Sequence, residues 1–293
     1  MNKNTLNYFY MEVVRMRDKI LDYKRYLAAF LIAPLFIISG RLILNIILTV
    51  NPKLEEYSNI FGVVVALVIG LIIVVIILLC KGSIGRFTLK SYFSGVFFYM
   101  LPFTLFCLYH ILTSMKWIFI DNYERYTEHF LGDFITELCI CIMVAITEEI
   151  VCRCAVLNCL LGRDNDISKI KIVAACIYSA ILFGLIHMPG YFAENAASVA
   201  SALWGTVLAC LGGYIFAVIY LKTQNILSVM TLHFGWDFAL YCKAAMCKER
   251  YRFGGSYNFT PHQTAIIVVM VIIATIVLFR SEKEELLLKD NCS

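Results

Sequence analysis

Apolar residues dominate the chain in long runs, most of them about the 20 residues a helix needs to cross a bilayer, with short polar breaks between them. The runs extend roughly from Leu27 to Val50, Ile60 to Cys80, Tyr92 to Leu112, Phe130 to Leu161, Ile170 to Met188, Ala196 to Leu221, Ile226 to Cys242 and Ala265 to Phe279. The pattern predicts an all-α, polytopic membrane protein of about eight transmembrane helices, the fourth unusually long. Turn-forming breakers separate several runs, at Asn51-Pro52, Gly82 to Gly85, Met188-Pro189-Gly190 and Gly254-Gly255. Ahead of the first run, Leu6, Phe9, Val13, Met16, Ile20 and Tyr23 recur at spacings of three and four among Arg15, Arg17, Lys19, Lys24 and Arg25. Residues 1–26 are therefore expected to form an amphipathic helix lying in the membrane interface. No cleavable signal is expected, because the next apolar run is too long and lacks a small-residue cleavage site.

Composition agrees with the pattern. The 293 residues are 61% hydrophobic and only 16% charged, with a mean hydropathy of +0.79. A soluble domain is nearer half apolar and a quarter charged, so a water-soluble fold is excluded. The formal charge of +4 is too small and scattered for nucleic-acid binding. Lys and Arg favour the inner segments if the N-terminus is cytoplasmic, although the cluster from Lys243 to Arg252 runs against that pattern. A multi-pass cell-membrane protein with both termini cytoplasmic is expected. The twelve cysteines sit mostly in apolar runs, contain no CxxC, and read as small buried hydrophobes in a reduced setting.

Ionisable groups inside a bilayer are costly, so those within the runs are functional candidates. They concentrate in the second half of the chain: Glu148, Glu149 and Arg153 in the fourth run, His187 after Phe183 in the fifth, and His233 and Asp237 in the seventh. Glu149 and Arg153 are four apart and share a helix face, which allows an ion pair. Glu148 lies about 100° away around the helix, leaving it to face a cavity. His233 and Asp237, and likewise Phe183 and His187, repeat the four-residue spacing. Two histidines and a carboxylate could bind zinc with an open position for water. They could equally serve a metal-free hydrolase, in which Glu148 takes a proton from water and the imidazoles stabilise an oxyanion. A proton relay in a transporter and a buried packing network are the remaining alternatives.

Taken together and in order, Glu148-Glu149-x-x-x-Arg153, Phe183-x-x-x-His187 and His233-x-x-x-Asp237 resemble the signature of the CAAX protease and bacteriocin-processing family, also called the Abi family. The resemblance covers roughly Phe130 to Cys242. It divides the chain into an interfacial segment (1–26), N-terminal spans (27–129), a protease core (130–242), and a last span with a cytoplasmic tail (243–293). The resemblance implies an intramembrane endopeptidase acting on a peptide or membrane-associated protein. Glu148 would activate water with help from His187, while His233 and Asp237 would occupy the oxyanion positions. Glu149, Arg153 and Phe183 would orient the site. The family's CAAX endopeptidase member looks like a glutamate-dependent enzyme without catalytic metal, so no cofactor is favoured. If a metal is bound, it would be zinc on Glu148, His187, His233 and Asp237.

This chain departs from that member by carrying Asp237 where Asn would donate a hydrogen bond. An ionised Asp cannot donate to an oxyanion, so Asp237 must be protonated, orient His233 or bind a metal. The competing possibility is a non-catalytic scaffold or bacteriocin-immunity protein that binds a partner membrane protein. Residue usage and short loops look bacterial, favouring peptide maturation or immunity over prenyl-protein processing. The expected partners are a substrate and the lipid bilayer, without nucleic acid; the sequence sets no oligomeric state. Asp133 and Glu137 are expected at the watery outer end of the fourth run, and Gly205, Gly212 and Gly213 at close helix contacts.

Overall fold

A computed structural model of the chain describes residues 88–116, 130–161, 167–194, 199–245 and 261–282, with single positions elsewhere. The expected amphipathic helix and first two spans lie outside the described residues. The described part is all-helical. Helix α1 (Leu89–Phe93) passes into a π-helical stretch, Ser94–Tyr99, and is followed by α2 (Leu101–Lys116). Helix α3 (Phe130–Glu149) continues through a π-helical stretch, Ile150–Leu157, into a final α-turn, Asn158–Leu161. Then come α4 (Lys169–Glu194), α5 (Val199–Thr223), α6 (Ile226–Ala245) and α7 (Pro261–Arg280).

Three described helices are long and apolar enough to cross a membrane: Lys169–Met188 of α4, α5 and α7. A fourth is added if α1 and α2 count as one span, but they are bent by 80°. Of the eight expected runs the first two fall outside the described residues, and three others differ from a simple span for identifiable reasons. The run from Tyr92 to Leu112 breaks because Pro102 has no N–H with which to continue the preceding helix. Thr104 Oγ1 donates to the Val96 carbonyl at 2.6 Å and ties the two arms of the bend. Helix α3 with the π-helical stretch that follows it carries Asp133, Glu137, Glu148, Glu149 and Arg153, too many charges for a simple span. The apolar part of α6, Ile226–Leu240, is shorter than a span.

A second correction concerns the expected break at Met188-Pro189-Gly190, because α4 runs through it to Glu194. A proline removes one backbone hydrogen bond and is tolerated in a span when neighbours satisfy the freed carbonyl. His187 is therefore inside a helix and not at its end.

Contacts between named side chains set α3 antiparallel to α4 and to α6. His187 meets Glu148 while Ser179 meets Arg153; His233 meets Glu149 while Phe238 meets Phe134. The main core joins Met100 and Phe103, Leu157, Ile172, Leu208, Ile215, Leu232 and Met270. Around it, whole apolar stripes stay exposed: Ile170, Ile177, Ile181 and Leu185 on α4, and Val268, Val269, Ile272, Ile276 and Phe279 on α7. Patches of this extent do not persist in water; they are the faces a bilayer covers. The chain is a multi-pass membrane protein.

Helix ends are tied by side chains. Lys169 Nζ donates to the Phe279 and Ser281 carbonyls at 2.7 and 2.9 Å, placing a cation on the C-terminus of α7. Asn225 Oδ1 accepts from the Leu227 N–H at 3.0 Å and caps α6, while its Nδ2 reaches the Thr88 carbonyl and Ser91.

Two glycines bring α4 and α5 together. A Cβ on Gly184 would overlap Cys210 Sγ and come within 2.8 Å of the Thr206 carbonyl. On Gly213 it would come within 3.0 Å of Phe183. The close approach expected of Gly213 is present, whereas Gly212 faces open space. Gly184→Ala is accordingly expected to lower stability by about 1–3 kcal/mol, because backbone atoms cannot yield. Gly212→Ala should be neutral or stabilising by up to about 1 kcal/mol. Thermal unfolding of the two variants in the same detergent checks the contrast.

Candidate active site

Three helices bring the motif residues to one place. Glu148 and Glu149 end the α-helical part of α3, and Arg153 lies in the π-helical stretch beyond. His187 stands on α4, and His233 and Asp237 lie one turn apart on α6. π-Helical insertions widen a helix locally and often occur at functional sites. Here every residue from Ile150 to Leu157 is buried.

The two glutamates have different surroundings, as their helical offset requires. Glu149 and Arg153 are both 0% exposed, with Arg153 Nε 2.8 Å from Glu149 Oε2. Nη2 adds a hydrogen bond of 3.4 Å to Oε1. The guanidinium also lies over the Phe183 and Phe216 rings, 5.1 and 6.0 Å from their centroids. Glu148 keeps 19% exposure, and its Oε2 lies 3.3 Å from His187 Nε2 and 3.7 Å from His233 Nε2. The paired glutamate is sealed, whereas the other keeps partial exposure although its Oε2 is buried.

Each imidazole is oriented from behind. His187 Nδ1 is 2.8 Å from the Phe183 carbonyl, which accepts from it and leaves Nε2 toward Glu148. The Phe183 ring packs against that imidazole with centroids 4.6 Å apart. His233 Nδ1 is 2.8 Å from Glu149 Oε1, and its ring stacks on Phe216 at 5.3 Å. Its Nε2 points to Asp237 Oδ2 at 3.4 Å as well as to Glu148. Asp237 thus sits beside the imidazole of its own helix, as the four-residue spacing predicts.

Among the described residues, no group of three or more His, Cys, Asp and Glu side chains is arranged to hold a metal ion. Glu137 is buried within the protein, and its Oε1 accepts from Cys141 Sγ at 3.5 Å.

Two contributors escape the motif reading, Ser179 and Phe216. Ser179 Oγ donates to the Cys152 carbonyl at 3.1 Å and accepts from Arg153 Nη1 at 3.5 Å. Its signal was present: residues 179, 183 and 187 repeat every four positions on one face of α4. Phe216 has no comparable local signal.

The family model described as type II CAAX prenyl endopeptidase, Rce1-like, matches residues 130–239. No curated protein and no solved structure matches the chain. The matched segment runs from the first residue of α3 to two residues beyond Asp237 and contains all three motifs. Residues 130–239, less than half of the chain, are thus similar to the CAAX protease family, a family of peptidases.

Proposed function

We propose that the protein is an intramembrane endopeptidase that hydrolyses a peptide bond in a peptide or membrane-protein substrate, with Glu148 as the base. The observation that carries this reading is that the partly exposed Glu148, which is outside the Arg153 ion pair, has two imidazole Nε2 atoms from two other helices within 3.7 Å of its Oε2. Glu148 takes a proton from water, assisted by His187, and the hydroxide attacks the scissile carbonyl. The tetrahedral oxyanion forms on the side of His233 and Asp237. Collapse breaks the C–N bond, and the proton held by Glu148 passes to the leaving amine, giving one new carboxyl and one new amine. The contacts of Glu148 with the two imidazoles are longer than formed hydrogen bonds, as is common before substrate binds, and would tighten in the reacting complex.

Proton accounting supports a role for Asp237 without an Asn. His233 gives its Nδ1 proton to Glu149, a carboxylate already held by Arg153. A neutral ring would then turn an Nε2 lone pair toward two carboxylates, which is repulsive. One further proton, on Nε2 or on Asp237, removes the repulsion. That shared proton supplies the donor an oxyanion needs.

The catalysis is proposed to be metal-free, with Glu148 as the base; zinc held by Glu148, His187, His233 and Asp237 is the alternative. Purified, extensively dialysed protein is expected to cleave a candidate membrane peptide without ATP or a second protein. It should hold far less than one zinc per chain and remain active with chelator. Stoichiometric zinc, lost together with activity and restored with it, would contradict this and make Asp237 a ligand.

A further inference from the structure

Ser179 is fully buried on α4, one turn before Phe183 and two before His187. A hydroxyl has a single hydrogen, and here it goes to the Cys152 carbonyl, within the π-helical stretch of α3. The oxygen's lone pairs are thereby turned to Arg153 Nη1. Arg153 holds Glu149 through Nε and Nη2, and Glu149 Oε1 accepts the Nδ1 proton of His233 at 2.8 Å. A continuous polar chain therefore crosses from α4 through α3 to α6. It starts at a serine hydroxyl behind the site and ends at the imidazole whose Nε2 faces Glu148 and Asp237.

The environment makes the first link consequential. Arg153 and Glu149 are 0% exposed, so water cannot replace a missing partner. The other groups around the guanidinium, Phe183 and Phe216, attract it over their faces but do not fix its rotation. Directional contacts come from Glu149 on its own helix and from Ser179 across the helix boundary. The second also clamps the backbone from which Arg153 projects.

We infer that Ser179 is a positioning residue: it sets the rotation of Arg153, and through Arg153 and Glu149 the orientation of His233. Its effect on cleavage rests on the hydrolytic function proposed above, whereas its effect on the His233 hydrogen bond does not. Ser179→Ala nearly preserves volume and removes only the hydroxyl. Two readouts on full-length protein in detergent separate the claims. The first is the ¹⁵N-correlated proton signal of His233 Nδ1–H, assigned by its disappearance in His233→Gln. The second is steady-state peptide cleavage.

Ser179→Ala is expected to shift or broaden the imidazole signal. It should also lower kcat by about 10-fold to 100-fold with KM nearly unchanged, as loss of a hydrogen bond to a charged group suggests. A role in stability alone would lower the folded fraction and leave the signal and kcat of the remaining folded protein as in wild type; that result overturns the inference. If Ser179→Ala does not accumulate, Ser179→Cys fills the same space with a weak donor. An imidazole signal unchanged in Ser179→Cys overturns the inference equally. A displaced signal in a protein that cleaves no peptide even as wild type would leave Ser179 as positioner and remove the hydrolytic reading.

Discussion

Arg153→Leu is expected to remove most folded protein from the membrane, at a cost of about 3–5 kcal/mol. This is the usual penalty for leaving one member of a buried ion pair without its partner. Glu149 would remain fully buried with only His233 against it, and His233 cannot replace both guanidinium contacts. Glu149→Gln should be damaging for the reciprocal reason, although its amide can still accept from His233 with its oxygen. Chemical or thermal unfolding of each variant in one detergent, beside wild type, measures the effect. If Arg153→Leu unfolds with the wild-type midpoint, the ion pair is not a structural element of the site.

Glu148→Gln should have the opposite profile. Its shape and most of its packing are kept, and Glu148 is not part of the Arg153 ion pair. Folded protein should accumulate normally while cleavage falls by about 10²–10⁴-fold, the usual worth of a positioned general base. His187→Ala should reproduce much of the loss, because the imidazole nearest Glu148 is then gone. Activity should also decline toward acid pH in the wild type, since a protonated Glu148 cannot accept a proton from water. Because a zinc site loses its imidazole ligands in acid as well, the chelation experiment is what separates the two chemistries.

How much of this could be read from the residues depended on whether the contact was local. The spacing of Glu149 and Arg153 and of His233 and Asp237 follows from helical geometry alone, and both pairs meet. The separation of Glu148 from the ion pair came from the same geometry. Contacts between helices were another matter. That His233 would be held by Glu149, or that Ser179 and Phe216 would close around Arg153, depends on how α3, α4, α5 and α6 pack.

Span counting was weakest where hydropathy competes with chemistry. The fourth run carries too many charges for a simple span, and Pro102 divides the third. Pro189 shows the reverse, since a residue that reads as a breaker sits inside a continuous helix. Glu137 is buried beside Cys141, which no local pattern announces.

The central claim is that Glu148 drives hydrolysis of a peptide bond at this site. It is tested most directly by comparing, through mass spectrometry, the membrane and secreted peptides of cells making wild-type protein with those of cells making equal amounts of folded Glu148→Gln. Defined fragments with a matching new amino terminus and new carboxyl terminus should be present with wild type and absent with the variant. Identical peptide pools from the two would contradict hydrolysis by Glu148 and leave binding of a membrane partner as the function.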